Sequence, residues 1–115
     1  MNDAINTVEK YFELSNQANL VEIGKMFSAD SIYNSSRTGL HHGAQQIMKM
    51  MTKFYAGFDE LKWIINSIKE TQSNIIEVDF TFNGLTKEGL AVVNTGTEYF
   101  VVHDEVLKSV EVKSR

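Results

Sequence analysis

Two adjacent histidines and a nearby hydroxyl-rich segment are the residues of this 115-residue chain best suited to chemistry. His41 and His42 follow the stretch SADSIYNSS, in which Tyr33 and Ser35 stand two residues apart. An imidazole titrates near neutral pH, so His42 is a candidate to accept a proton from a substrate. The alternative, a histidine that hydrogen-bonds the turn before the next helix, is the favoured interpretation of His42. Neighbours on a strand point in opposite directions, so the pair is not expected to chelate one metal ion.

The composition excludes several classes of function. The chain has no cysteine, so it offers neither a thiolate nucleophile nor a thiolate metal site. No spacing of His, Asp and Glu resembles a metal site, and no cofactor is predicted. Fifteen acidic and eleven basic residues give a net charge of −4. Since Lys and Arg form no cluster, nucleic acid is not an expected partner.

Nothing in the sequence indicates a membrane or export signal. The apolar runs are far too short for a membrane span, and the N-terminus lacks a basic region followed by an apolar run. With 43% hydrophobic and 23% charged residues, the composition is typical of a globular protein. The sequence therefore predicts one cytoplasmic domain over residues 1–115.

Apolar periodicity predicts three helices in the first half of the chain. Ile5, Val8 and Phe12 form a stripe on the first helix. Asn19, followed by Glu22, has the spacing of a capping box that starts the second. The third helix has the strongest stripe and a glycine suited to its C-terminal end: Ile47, Met50, Met51, Phe54 and Phe58, with Gly57.

The second half changes to a period of two, which predicts strands. Residues 76–82 alternate between apolar and polar side chains, as expected for a strand with one buried face. Asn83-Gly84 predicts a turn, and longer strands are expected at 90–102 and 106–112. Helices followed by an antiparallel meander indicate an α+β fold, in which a curved sheet packed on a long helix forms a cone-shaped roll.

The inner face of this roll is predicted to line a cavity. Side chains repeat every two residues along a strand, so Tyr33 and Ser35 share a face, as do Thr95, Thr97 and Tyr99. An apolar pocket with a few placed polar groups is typical of small-molecule sites. The predicted ligand-binding residues are Tyr33, Ser35, Met50, Met51, Trp63, Val78, Phe80, Phe82, Thr95, Thr97 and Tyr99. The alternative is a core filled by methionine and phenylalanine, with no cavity.

Three strings resemble the nuclear transport factor 2-like, or SnoaL-like, superfamily: YFELSNQANLVEIGKMFSADSIY, HHGAQQIMKMM and VDFTFNG. Their order and spacing cover nearly the whole chain, and the pattern is nearest to ketosteroid isomerase. The resemblance implies a cystatin-like α+β roll with three N-terminal helices. It also implies an active site in which a tyrosine and a protonated aspartate polarise a substrate carbonyl while a second aspartate moves a proton.

The resemblance places the tyrosine on Tyr11, the base on Ser35 and the second acid on Thr97. Both carboxylates are therefore missing. A serine hydroxyl is a poor general base at neutral pH, so ketosteroid isomerisation by the familiar mechanism is not expected. The alternative for Tyr11 is a helix-edge tyrosine that packs its ring on the core and leaves its hydroxyl in solvent.

The resemblance also implies a homodimer formed through the outer face of the sheet. Phe100 and Val102 are expected to supply apolar contacts there, and twofold dimers are the commonest oligomers. Glu98 is expected in solvent or at the subunit contact. The residues predicted for this face are Glu77, Asp79, Thr81, Asn94, Glu98, Phe100 and Val102.

Two functions remain open at this point. The leading hypothesis is a pocket protein for a small hydrophobic molecule, acting as an isomerase, cyclase or dehydratase on an apolar carbonyl compound. In that case Tyr11 polarises the carbonyl, Ser35 and Thr97 orient the ligand, and His42 accepts the proton. The alternative is a non-catalytic ligand-binding or protein-interaction module, which the loss of both carboxylates favours.

Overall fold

The computed structural model describes residues 3–115. Within that range the chain forms three helices and six strands. The helices are α1 (Asp3–Asn16), α2 (Leu20–Gly24) and α3 (Gly43–Ala56). The strands are β1 (Ile32–Ser35), β2 (Gly39–His42), β3 (Phe58–Gln72), β4 (Ile75–Thr86), β5 (Ala91–His103) and β6 (Val106–Ser114).

All six strands belong to one sheet with the order β2-β1-β6-β5-β4-β3. The β1–β6 pair is parallel and every other pair is antiparallel. Helix α1 packs on β3, β4 and β5, while α3 packs on β1, β2 and β3. The predicted α+β roll is confirmed. Among residues 3–115, no helix combines the length and the apolarity that crossing a lipid bilayer requires.

Local signals in the sequence set the helix ends. The side-chain oxygen of Asn19 accepts a hydrogen bond from the backbone N–H of Glu22 at 3.2 Å, which satisfies a free donor at the start of α2. The N–H of Gly57 donates to the carbonyl of Phe54 and ends α3. Asn16, the last residue of α1, exchanges two hydrogen bonds with the backbone of Trp63, at 2.7 and 2.9 Å. This pair fixes the end of α1 against β3.

The predicted turn at Asn83-Gly84 is wrong, because both residues lie inside β4. A Cβ atom on Gly84 would come 2.7 Å from the ring of Phe58. The glycine is therefore needed for close packing rather than for a turn. The chain reverses instead at residues 87–90, where Gly89 has a φ of +86°.

The prediction for the two faces of β5 is also wrong, and it is wrong by one residue. Val78 pairs with Glu98, and Ile76 pairs with Phe100. Directly paired residues project to the same face of a sheet. Since Val78 and Ile76 are fully buried, Glu98 and Phe100 face the interior with them.

Four residues expected on the outer face therefore point inward: Asn94, Glu98, Phe100 and Val102. Three residues expected inside lie on the outer face: Thr95, Thr97 and Tyr99. The physical reason is that β5 carries apolar side chains on both faces, with valines at 92 and 93 and again at 101 and 102. Alternation alone gives no unique face for such a strand.

Candidate functional site

A cavity of about 200 Å³ lies between α1, α3 and the inner face of the sheet. Its apolar wall consists of Met50, Met51, Phe54, Phe58, Trp63, Phe80, Phe82, Val92 and Val112. Its polar lining consists of Tyr11, Ser15, Tyr33, Ser35, Arg37, Thr38, Tyr55, Asn94, Glu98 and Ser114. A cavity of about 150 Å³ accommodates benzene, so this one has room for a substituted ring.

Packed aromatic rings form the wall of the cavity at α3 and β3. The ring centroids of Trp63 and Phe82 are 4.8 Å apart, and those of Phe54 and Phe58 are 5.1 Å apart. Phe54 also contacts both Trp63 and Phe82. Tilted aromatic pairs at these distances stabilise one another beyond the area they bury, so the wall is a fixed apolar surface.

The structure brings many of the predicted site residues to this cavity: Tyr11, Tyr33, Ser35, Met50, Met51, Trp63, Phe80 and Phe82. Their roles in binding stay predictions. Val78 is fully buried in the core and does not reach the lining.

The structure does not bring Thr95, Thr97 or Tyr99 to the cavity. The hydroxyl of Thr97 instead donates to Oδ1 of Asp79 at 2.8 Å on the outer face. The side chain of Arg115 completes that outer cluster by donating to Oδ1 of Asp79 at 3.1 Å. Because β5 is turned by one residue, Thr97 cannot orient a ligand in the cavity.

His42 also lies outside the cavity lining. It is exposed at the junction of β2 and α3, where its backbone N–H donates to Oε1 of Gln46 at 3.2 Å. Its imidazole makes no capping hydrogen bond to α3. The histidine that does bond the loop is His41, whose ring nitrogen donates to the carbonyl of Thr38 at 2.9 Å. A proton acceptor in the cavity must therefore be another residue.

Glu98 is the carboxyl group that the structure places in the cavity lining. Its side chain is 4% exposed, and Oε2 has no hydrogen-bond partner within residues 3–115. Burial raises the pKa of Glu98 from 4.5 to about 8, because a charged carboxylate loses its hydration there. At pH 7 the group is mostly a neutral acid with a proton to donate.

Sequence reasoning missed Glu98, although one signal could have found it. Phe100 is the largest apolar residue of β5, and Glu98 stands two residues before it, on the same face. Placing Phe100 inward would have placed Glu98 inward as well.

Three tyrosines, Tyr11, Tyr33 and Tyr55, line the cavity together with this carboxyl group. Burial is the main reason that the pKa values of Tyr11 and Tyr33 lie well above 10 and that of Tyr55 is raised to about 12. The charge that Glu98 would carry raises each of them further. All three are therefore neutral phenols near physiological pH.

The tyrosines differ in how far their hydroxyls are engaged. Tyr55 donates to the backbone carbonyl of Ser15 at 2.9 Å and so stabilises the contact between α3 and α1. The hydroxyls of Tyr11 and Tyr33 interact with each other beside Glu98. The ring of Tyr11 packs edge-to-face against the rings of Phe12 and Phe100, with centroid distances of 5.7 and 5.6 Å.

Chemically, the buried end of the cavity presents a neutral carboxylic acid and two phenols in apolar surroundings. Donors fixed in a dry site stabilise negative charge that develops on a ligand oxygen far better than water does. A carboxyl group with a pKa near the working pH is also an efficient proton carrier. Within residues 3–115 no three His, Asp or Glu side chains come together as metal ligands.

Substitution of Glu98 by Gln should flatten the pH dependence of stability. The folded-state pKa of about 8 lies above the ordinary 4.5, so the folded protein keeps a proton that the unfolded chain releases. This stabilisation is complete below about pH 4.5 and is lost as the pH rises through about 8. Between pH 5.5 and 7.5 the wild type should lose about 2.5 kcal/mol of unfolding free energy relative to Glu98→Gln.

Urea unfolding at the two pH values measures this difference. Glu60→Gln, a change at an exposed glutamate of β3 outside the cavity lining, is the matched control and should behave as the wild type. Equal losses of stability in the wild type and in Glu98→Gln would show that Glu98 is not a buried neutral acid.

Many solved structures share this fold, among them the following three. A hypothetical protein from Catenulispora acidiphila with a ketosteroid isomerase-like fold, solved in complex with trimethylamine, is 16% identical with a TM-score of 0.84. That alignment covers 93% of this chain and 83% of the other. An NTF2-like protein of unknown function from Burkholderia pseudomallei is 13% identical with a TM-score of 0.88, over 100% and 92% of the two chains.

The third is an LEH-like epoxide hydrolase from M. tuberculosis, 13% identical with a TM-score of 0.85, over 97% of this chain and 82% of the other. Comparison with curated protein sequences found no match. At such low identity the structural similarities establish the fold alone. The model of the SnoaL-like domain family matches residues 8–110. Because this match spans most of the 115 residues, the chain belongs to the SnoaL-like domain family, as its sequence motifs predicted.

Proposed function

We propose that this chain binds an apolar, ring-sized carbonyl compound and moves a proton on it, with Glu98 as the proton carrier. The observation that carries this proposal is the buried carboxyl group whose Oε2 has no partner within residues 3–115 and which lines the cavity. A buried polar group without a partner costs stability. A ligand oxygen that accepts its proton would remove that cost.

Tyr11 and Tyr33 act on the same ligand oxygen in this proposal. Both phenols are neutral, lie beside Glu98 and line the cavity. As the carbonyl oxygen gains negative charge, a phenolic O–H stabilises it more strongly than it stabilises the neutral ketone. Tyr11 thus keeps the role that the sequence suggested, while Glu98 takes the role suggested for His42.

The proposed chemistry is enolisation. Neutral Glu98 acts through both carboxyl oxygens: one takes a proton from the carbon next to the carbonyl, the electrons of that C–H bond shift to the carbonyl oxygen, and this oxygen takes the carboxyl proton of Glu98. The ketone becomes an enol, and Glu98 returns to its starting state. Isomerisation, cyclisation and dehydration of carbonyl compounds can all proceed through such a step. The epoxide hydrolase and the trimethylamine complex among the structural relatives support small-molecule chemistry in this fold.

Acetophenone and ethylbenzene, which share a carbon skeleton, test the binding step. The chain has one tryptophan, Trp63, and it lines the cavity, so its indole N–H resonance reports occupancy in an NMR titration. The wild type should prefer acetophenone by about fivefold, and Tyr11→Phe should lose most of this preference. Equal affinity of the wild type for both compounds would contradict a carbonyl site.

Deuterium exchange into the methyl group of acetophenone in D₂O tests the proton transfer. The wild type should accelerate the exchange, and Glu98→Gln should slow it by about 100-fold while still binding the ketone, because the amide retains a donor but cannot carry the proton. Glu60→Gln is again the control. Tight binding without exchange in the wild type would refute catalysis and support the alternative of a non-catalytic binding module.

We further propose that the outer face of the sheet pairs two copies of the chain. Phe100 and Val102 cannot supply the contact because both are buried in the core. Val93 and Val101 replace them, with exposures of 65% and 39%. Both project from the outer face of β5, and the same face appears on each partner of a twofold dimer.

Charge at this face should separate the copies. The double variant Val93→Lys/Val101→Lys should sediment as a monomer where the wild type sediments as a dimer, since unpaired charges at an interface are costly. Val21→Lys places the same charge on an exposed valine of α2 and should leave the dimer intact. A monomeric wild type, or a dimeric double variant, would contradict pairing through this face.

A further inference from the structure

Arg37 stands at the open end of the same cavity. It follows β1 in the turn that leads to β2, is exposed to solvent and belongs to the cavity lining. Glu98 stands four residues along β5 from Asn94, a hydrogen-bond partner of Arg37, which is a separation of about 13 Å in a strand. Tyr11 and Glu98 are 5% and 4% exposed. The cavity therefore has a polar end that is buried, an apolar wall, and a cation where it meets solvent.

Hydrogen bonds to neutral groups fix the guanidinium of Arg37. Nε donates to the hydroxyl of Ser114 at 3.1 Å, and Nη2 donates to Oδ1 of Asn94 at 2.8 Å. The backbone N–H of Arg37 donates to the hydroxyl of Ser35 at 3.1 Å. Asn94, Ser114 and Ser35 all line the cavity as well, so the guanidinium is held against the cavity rather than free in solvent.

The positive charge of Arg37 has no ion-pair partner in the part of the chain that the structure describes. None of the ion pairs within residues 3–115 includes Arg37. The other arginine of the chain, Arg115, is paired with Asp79 at 3.1 Å. The other ionisable acid or base of the lining, besides its tyrosines, is Glu98. It is a neutral acid at pH 7 and forms no ion pair with Arg37.

We propose that Arg37 binds a carboxylate on the ligand, so that the ligand is an apolar keto acid with its ring in the cavity. A guanidinium has five N–H donors in a planar fork that matches a carboxylate. Two of the five are used by Ser114 and Asn94, and Nη1 donates no hydrogen bond within residues 3–115. A guanidinium that is held in place without an ion-pair partner among residues 3–115 favours an anionic group on the ligand.

This assignment rests on the proposed function, which places the ketone of the same ligand at Glu98 and Tyr11. The two ends of the ligand are nevertheless recognised by different residues. A set of ligands that changes one end at a time therefore tests the two proposals separately.

Three para-substituted benzenes make the test, with the Trp63 indole resonance as the reporter of binding. 4-Acetylbenzoate differs from 4-acetylbenzamide only in having a carboxylate in place of the neutral amide. It differs from 4-ethylbenzoate only in having a ketone in place of a methylene group. The wild type should bind 4-acetylbenzoate about fivefold more tightly than the amide at low salt. That advantage should shrink as ionic strength rises, since the pair is near solvent.

Arg37→Gln should abolish the preference for the carboxylate while still binding 4-acetylbenzamide. Retained amide binding also shows that the variant is folded. Arg37→Lys keeps the charge but loses the planar fork, so part of the preference should remain. Arg115→Gln makes the same charge change outside the cavity and should bind as the wild type does.

The outcomes separate the two proposals. Equal wild-type affinity for 4-acetylbenzoate and 4-acetylbenzamide, or an undiminished carboxylate preference in Arg37→Gln, would overturn the role of Arg37. Equal wild-type affinity for 4-acetylbenzoate and 4-ethylbenzoate would instead overturn the ketone site at Glu98 and leave the carboxylate site standing.

Discussion

The burial of one carboxyl group without a partner is the constraint on which the site depends. Glu98 is 4% exposed, and its Oε2 has no hydrogen-bond partner within residues 3–115. Such a group is tolerated only because it keeps its proton, which avoids the much larger cost of a buried charge. The fold therefore gives up stability at neutral pH to hold an acid in an apolar cavity. Proteins commonly accept such a cost at functional sites.

The pairing of β4 with β5 produces this arrangement. Because Glu98 pairs with the buried Val78, its carboxyl group faces the interior. Two residues earlier in β5, Gly96 has no side chain, so the backbone of Lys113 and the ring of Phe80 can pack closely against it. A Cβ at Gly96 would lie 2.6 Å from the carbonyl of Lys113 and 2.9 Å from the ring of Phe80. The resemblance aligns Thr97 with the second catalytic acid of ketosteroid isomerase, and Thr97 is the residue just before Glu98. A shift of one residue along a strand exchanges the two faces of the sheet.

Much of the fold could be predicted from the sequence, because the signals that start and end its helices and strands are local. The cap of Asn19, the end of α3 at Gly57 and the buried alternation of β4 each depend on a few neighbouring residues. Alternation alone did not predict the face of β5, since both of its faces carry valines. Only pairing with β4, a contact across the sheet, decides it. The same long-range pairing decides which polar residues reach the cavity, so the sequence identified Tyr11 and Tyr33 but missed Glu98.

The most direct test is an NMR titration of the Glu98 carboxyl carbon in protein labelled with ¹³C at its glutamate side chains. The resonance of Glu98 is assigned by its absence from the spectrum of Glu98→Gln. We expect a midpoint at about pH 8 for this resonance. A midpoint near the ordinary 4.5 would mean that the carboxyl group is hydrated and charged at neutral pH, and the proposed acid in the cavity would not exist.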